Sequence, residues 1–348
     1  MTATTIVYVA CAGSREIHCF DLDADRGALT PIDIVTVPGG NEPSPSNMPM
    51  ALAPGGTMLF AALRTPPFPV TTFAIDPTSG RLTCRGTAPL PAPMAYVSVA
   101  AGGSFLMGAS YKEGKLSVSE IAADGVKAPP VEVVTTPPKA HCIIPGRCQD
   151  VVVYATTVEG DAIMVFRLDT RTGWLAQAQP HLVACRPGSG PRHLALHPRL
   201  DVLYCVNELA GTVAAFAIEN ETGALSEMQY EALTPPGFTG NARAADLHVT
   251  ADGRFAYASV RSTNSIAALR IDPGSGLLSP FGLFQAEASP RSFALDPYGR
   301  FLICAGQDEN TVGVHAIDPQ NGGLTPLHRY SVGSNPSWLE TLALPMTP

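Results

Sequence analysis

One composite pattern recurs along almost the whole chain, and it leaves few architectures open. Its fullest copies start at Pro191 (PRHLALHPRLDVLYCVNELAGTVAAFAIENETGALS), Ala244 (AADLHVTADGRFAYASVRSTNSIAALRIDPGSGLLS) and Pro290 (PRSFALDPYGRFLICAGQDENTVGVHAIDPQNGGLT). Each holds three short apolar runs separated by turn residues, as in Phe293–Leu295, Phe301–Ala305 and Val312–Ile317, and the Gly-Leu-Ser or Gly-Leu-Thr signal introduces a fourth. Weaker copies begin near Met48, Tyr96 and His141, so the repeat returns every ~45–55 residues. Four strands per repeat at that spacing predict the blades of an all-β propeller. Six copies are complete. The N-terminal segment lacks an inner strand, and the C-terminal PSWLETLAL offers only an inner strand. The reading is therefore a seven-bladed β-propeller over residues 1–348 as a single domain, its ring closed by pairing the C-terminal strand with the N-terminal blade. Such closure removes exposed strand edges, so losing the final ten residues is expected to be costly.

Composition agrees with a large apolar core. Apolar residues make up 45% and charged residues 15%, while 32 glycines and 33 prolines punctuate the chain too often for long helices. A net charge of −8 without a basic stripe argues against nucleic acid as a partner. The opening TTIVYVACAG is too short to span a membrane and has no basic segment before it, so it is read as the first strand of a cytoplasmic protein. The eight cysteines include no CxxC pair and sit mostly in apolar runs, where buried free thiols are expected. The Pro-rich PPFPV and APLPAPM fall inside repeats and read as loops between strands.

In a propeller, polar side chains at the starts of inner strands converge on the central channel. Arg192 and Arg291 occupy one repeat position, directly after Pro, and Arg243 precedes the equivalent strand of the blade between them. Arg64 and Arg261 close second strands. Clustered guanidinium groups favour an anionic ligand. His141 opens an inner strand, His193 follows Arg192, and Glu208 ends a second strand, which makes these three the acid/base candidates. His197, His248, His315 and His328 read as structural. The scattered acids Glu159, Asp246, Asp308 and Glu309 read as turn or solvated residues, so no metal and no cofactor is expected. No G-x-S-x-G, HExxH, P-loop or dinucleotide motif supports serine, zinc or nucleotide chemistry.

In GSGPRHLALHP, YCVNEL, ARAADLHVTADGRFAYASVR, SPRSFALDPYGRFLICAGQ and the closing GSNPSW, the chain resembles the bacterial 6-phosphogluconolactonase family of seven-bladed propellers, which includes fungal 3-carboxymuconate cyclases. SYKEGKLSV at Ser110 matches as well. The resemblance implies metal-free hydrolysis of a sugar-acid δ-lactone, or the related closing of a lactone ring. It puts the acid/base pair at His141 and Glu208 and the substrate-binding arginines at Arg192, Arg261 and Arg291. Two departures stand out. Ala162 sits where family members commonly carry Arg, which weakens the case for a phosphate, and the Pro38–Met50 loop is longer than usual, which can reshape the channel mouth.

The expected activity is hydrolysis of a lactone whose distal group is anionic, either 6-phosphoglucono-δ-lactone or an aldarate lactone such as galactaro- or glucaro-lactone. Arginines hold the anion, Glu208 helped by His141 activates water, and Arg192 or His193 stabilises the oxyanion. The alternatives are a carboxymuconate-type lactonising cycloisomerase and a non-catalytic binding platform. Residue types leave open phosphate against carboxylate, the direction of reaction, the oligomeric state and the pathway.

Overall fold

The structure, a computed structural model, describes residues 4–39, 46–147 and 151–345. Seven antiparallel sheets carry the chain, six of four strands and one of five, and the only helical segments among the described residues are 3-10 turns. The inner strands are, in chain order, Met50–Leu52, Tyr96–Ala100, Ala140–Pro145, Pro191–Leu196, Ala244–Val249, Pro290–Leu295 and Pro336–Ala343. We number the blades from the N-terminus. Blade 1 combines the C-terminal strand Pro336–Ala343 with Thr5–Cys11, Glu16–Leu22 and Leu29–Thr36, so the two ends of the chain close the ring. Blade 3 holds Tyr96–Ala100, blade 4 Ala140–Pro145, and so on to blade 7 at Pro290–Leu295.

Apolar residues on both faces of the middle strands explain the ring. Each hydrophobic cluster spans two neighbouring blades, as where Val7, Val9 and Leu339 of blade 1 meet Ile303, Ala305 and Val314 of blade 7. Buried apolar area therefore sits at every blade junction. Tyrosines reinforce four junctions. Tyr8, Tyr154, Tyr204 and Tyr257 are fully buried, and their hydroxyls donate to the carbonyls of Gly80, Gly223, Gly276 and Gly322 in the next blade at 2.7–3.0 Å.

Gly80, Gly276 and Gly322 end Asp-x-x-x-Gly turns, and Gly223 ends the same turn with Glu219 in place of Asp. At Asp272 the side chain accepts from the Gly274 and Ser275 N–H groups, and Gly276 then turns at φ +75° and bonds back to the Asp272 carbonyl. A Cβ on Gly276 would stand 2.8 Å from Val202, so both conformation and packing demand glycine.

Six of the seven described cysteines are buried, Cys84 is exposed, and none is in a disulfide; Cys148 lies outside the described residues. Burial pushes the thiols of Cys11 and Cys142 up to about 12, as suits packing residues. Residues 40–45 of the Pro38–Met50 loop also lie outside the described residues. No helix among the described residues is long and apolar enough to cross a membrane.

Candidate active site

The inner strands of blades 4, 5 and 7 begin with one device. Lys139, Gly190 and Ser289 take positive φ (66°, 68° and 55°), and two residues later the register with the second strand skips one residue. The skipped residues are His141, Arg192 and Arg291. A bulge of this kind releases a side chain from the alternation of the strand and aims it elsewhere, here into the channel. The second set of site residues comes from the ends of second strands. Tyr111, Glu208 and Arg261 each directly follow one, at Ser110, Asn207 and Val260.

These residues, with Ser46, Arg64 and Ala95, line a cavity of about 330 Å³ at one end of the channel. Four guanidinium groups face one carboxylate there. Glu208 is held between two of them, with Arg192 Nε 3.1 Å from Oε2 and Arg261 Nη2 2.7 Å from Oε1. Burial pushes the Glu208 carboxyl up, but Arg192 and Arg261, with Arg291 behind them, outweigh it and hold the group below its ordinary range. Arg261 also donates through Nε to the Arg243 carbonyl at 2.8 Å, and burial with the nearby Arg192 brings its guanidinium down to about 10.

Arg64 and Arg291 have no carboxylate within ion-pair distance among the described residues. Arg64 donates to Ser46 Oγ at 2.8 Å, and its Nε is buried without a partner. Burial, then Arg192, Arg261 and Arg64, press the Arg291 guanidinium well below its usual value, a cost that a bound anion would relieve.

His141 is 4% exposed, packs edge-on against Tyr111 at 5.7 Å, and leaves Nδ1 without a hydrogen bond. Burial first, then the charges of Arg192 and its neighbours, lower its pKa well below 6.5, so the imidazole is neutral at pH 7. Burial raises the Tyr111 phenol, which stays protonated, and Lys139 lies 4.8 Å over its ring at the rim.

Two expected residues stand elsewhere. Arg243 is exposed and does not line the cavity, because it occupies the positive-φ position (φ 52°) two residues before the place of Arg192 and Arg291. Only its carbonyl serves the site. His193 is 3% exposed and faces away, with Nδ1 2.8 Å from Asp246 and Nε2 3.1 Å from Arg192 Nη1. Both ring nitrogens are occupied within the protein, so His193 has none to offer an oxyanion. Burial and Arg192 bring its pKa down to about 4.

His248, read as structural, pairs with Asp246 at 3.4 Å, and its side chain is 40% exposed in a second cavity of about 470 Å³ at the far end of the channel, near Trp338 and Glu340. Ala162 is buried in blade 4 and takes no part in the cavity wall. Tyr111 was missed, although its place one residue after a second strand matches Glu208 and Arg261.

Four guanidinium groups around one carboxylate and a buried neutral imidazole, at one mouth of a seven-bladed propeller, make a cavity suited to an anionic ligand. The sequence matches the family described as "Lactonase, 7-bladed beta-propeller" over residues 2–341, and the chain belongs to that family of lactone-opening enzymes. Among its relatives are proteins named 6-phosphogluconolactonase from Serratia proteamaculans, 36% identical over 340 residues (97% of this chain and 99% of the relative), and from Pectobacterium carotovorum, 36% identical over 341. Similar solved structures include the periplasmic gluconolactonase PpgL of Pseudomonas aeruginosa, with a TM-score of 0.88, 28% identity and coverage of 99% and 100% of the two chains. A putative 6-phosphogluconolactonase of Bacteroides fragilis gives 0.87 at 25% identity, covering 98% of each chain.

Proposed function

We propose that this lactonase hydrolyses a sugar-acid δ-lactone bearing a distal dianion, 6-phosphoglucono-δ-lactone foremost, with His141 as the general base. The observation that carries this reading is the pair Arg64 and Arg291, two guanidinium groups without a carboxylate partner beside a neutral buried imidazole. Two guanidinium forks without a carboxylate partner suit a phosphate dianion. The names of the relatives point the same way.

In this mechanism Arg64 and Arg291 hold the phosphate, and Arg192 stabilises the carbonyl oxygen as it becomes negative. His141 takes a proton from the attacking water as the new C–O bond forms. The ring C–O bond then breaks, and His141 returns its proton to the leaving ring oxygen, directly or relayed through the Tyr111 hydroxyl, giving a carboxylic acid and a hydroxyl. Glu208, engaged at both oxygens, is a weak base; it holds Arg192 and Arg261 in place and accepts from the water. The expected order of Glu208 first and His141 second is thereby reversed. Because the imidazole is already neutral at pH 7, no proton has to be removed from it first. Free thiols support a cytoplasmic setting.

An aldarate lactone ending in carboxylate is the second reading, favoured by Ala162 in place of a further guanidinium. Ring opening by purified protein, compared across lactones ending in phosphate, carboxylate and hydroxyl, tests both. Preference for phosphate supports the first, preference for carboxylate the second, and equal rates would remove the assigned role of Arg64 and Arg291.

A further inference from the structure

The geometry points to Asp246 as the residue that positions Arg192 for catalysis, acting through His193. The inference rests on the lactonase mechanism above. Asp246 is 6% exposed and lines the far cavity rather than the arginine-lined one, so it is a positioning residue that does not touch substrate. The register of its strand skips at Ala245 and Asp246, which frees both residues from regular pairing. Its Oδ1 accepts from the Leu247 N–H at 3.0 Å and faces His193 Nδ1 at 2.8 Å. Its Oδ2 accepts from the Phe293 N–H at 3.2 Å and lies 3.4 Å from His248 Nε2.

A carboxylate beside Nδ1 fixes the proton there, so Nε2 presents a lone pair. That lone pair accepts from Arg192 Nη1 at 3.1 Å. The opposite tautomer would set an N–H against a guanidinium N–H. Arg192 Nη1 also donates to the Ala245 carbonyl, so one short segment of blade 6 holds this guanidinium twice, directly and through His193. Nε lies 3.1 Å from Glu208 Oε2 as an ion pair without a hydrogen bond, so with Nη1 held, Nε and Nη2 are the donors left for the substrate carbonyl. Without the Asp246 charge, His193 loses its reason to keep Nε2 bare, and the Arg192 plane loses one of its fixed contacts.

The test is steady-state kinetics of Asp246→Asn on the phosphorylated lactone, with inorganic phosphate as a competitive inhibitor. We expect kcat to fall about 10–100-fold, while KM and phosphate inhibition stay within about threefold because Arg64 and Arg291 are untouched. Added to Arg192→Gln, the substitution should cost little more, since both act through one group. An unchanged kcat, or losses that multiply in the double variant, would overturn the inference. If Asp246→Asn does not fold, His193→Gln and His193→Leu replace it. The Gln variant keeps an acceptor for Arg192 and should retain more kcat than the Leu variant; equal loss counts against the role. The two levels separate cleanly. A wild type inert on every lactone overturns the proposed function, whereas an active wild type impaired by Arg192→Gln but not by Asp246→Asn overturns this inference alone.

Discussion

At the residue scale, the site turns on one carboxylate among four guanidinium groups. Arg192 and Arg261 are 1% and 6% exposed, so much of their hydration is lost, and Glu208 compensates both. Removing that charge leaves two buried cations facing each other, and Glu208→Gln should destabilise by about 3 kcal/mol or less, the Glu208 side chain being 19% exposed. The pH dependence has a definite sign. The folded-state pKa of Glu208 lies below its unfolded value, so its stabilisation is complete above about pH 4.5 and fades as pH falls through the folded pKa. Melting curves of the two proteins should differ most at neutral pH and converge in acid; a gap that widens in acid would contradict the clamp. His141 gives the kinetic counterpart. With its pKa held below the usual imidazole range, kcat/KM should stay level from pH 7 through 6.5 and fall only further into acid, and His141→Ala should lose that limb together with most activity. A limb centred near 6.5 would speak for an unperturbed base.

At the scale of elements, inner-strand bulges and inter-blade tyrosines carry the geometry. Tyr204→Phe removes a buried donor from the Gly276 carbonyl, which should cost about 1–3 kcal/mol in urea unfolding. No change would mean that water replaces the contact. Bulges also explain what the sequence could and could not disclose. Arg192 and Arg291 were legible because both follow Pro at one repeat position, and both are bulge residues. Arg243, read as a third channel guanidinium just before its strand, stands two residues before the bulge position, where the backbone turns through positive φ. Spacing alone does not separate those positions. His193 looked catalytic for being next to Arg192, but neighbours on a strand face opposite ways. Its partner Asp246 is 53 residues distant, and only the packing of blade 6 on blade 5 reveals the pair.

For the whole molecule, the ring was legible because every blade reuses the same strand and turn signals, and because the two chain ends carried complementary fragments of one blade. Blade 2 was one of the three weaker copies in sequence, and its inner strand is the three residues Met50–Leu52. Closure depends on Pro336–Ala343, which pairs with Thr5–Cys11 along its length and supplies Trp338 and Leu339 to two different blade junctions. Deleting the last ten residues should expose the edge of Thr5–Cys11 and give aggregation on size-exclusion chromatography in place of a compact species. A compact, fully active truncated protein would contradict the closure. The proposed function asks the ring to bring His141, Arg192, Glu208, Arg261 and Arg291 from four blades to one mouth. The most direct measurement is therefore the rate of δ-lactone opening by purified wild type, with phosphate, carboxylate or hydroxyl at the distal carbon. The account expects strong acceleration for the anionic lactones, greatest for the phosphate, and little for the neutral one. Opening at the uncatalysed rate for all three would contradict it.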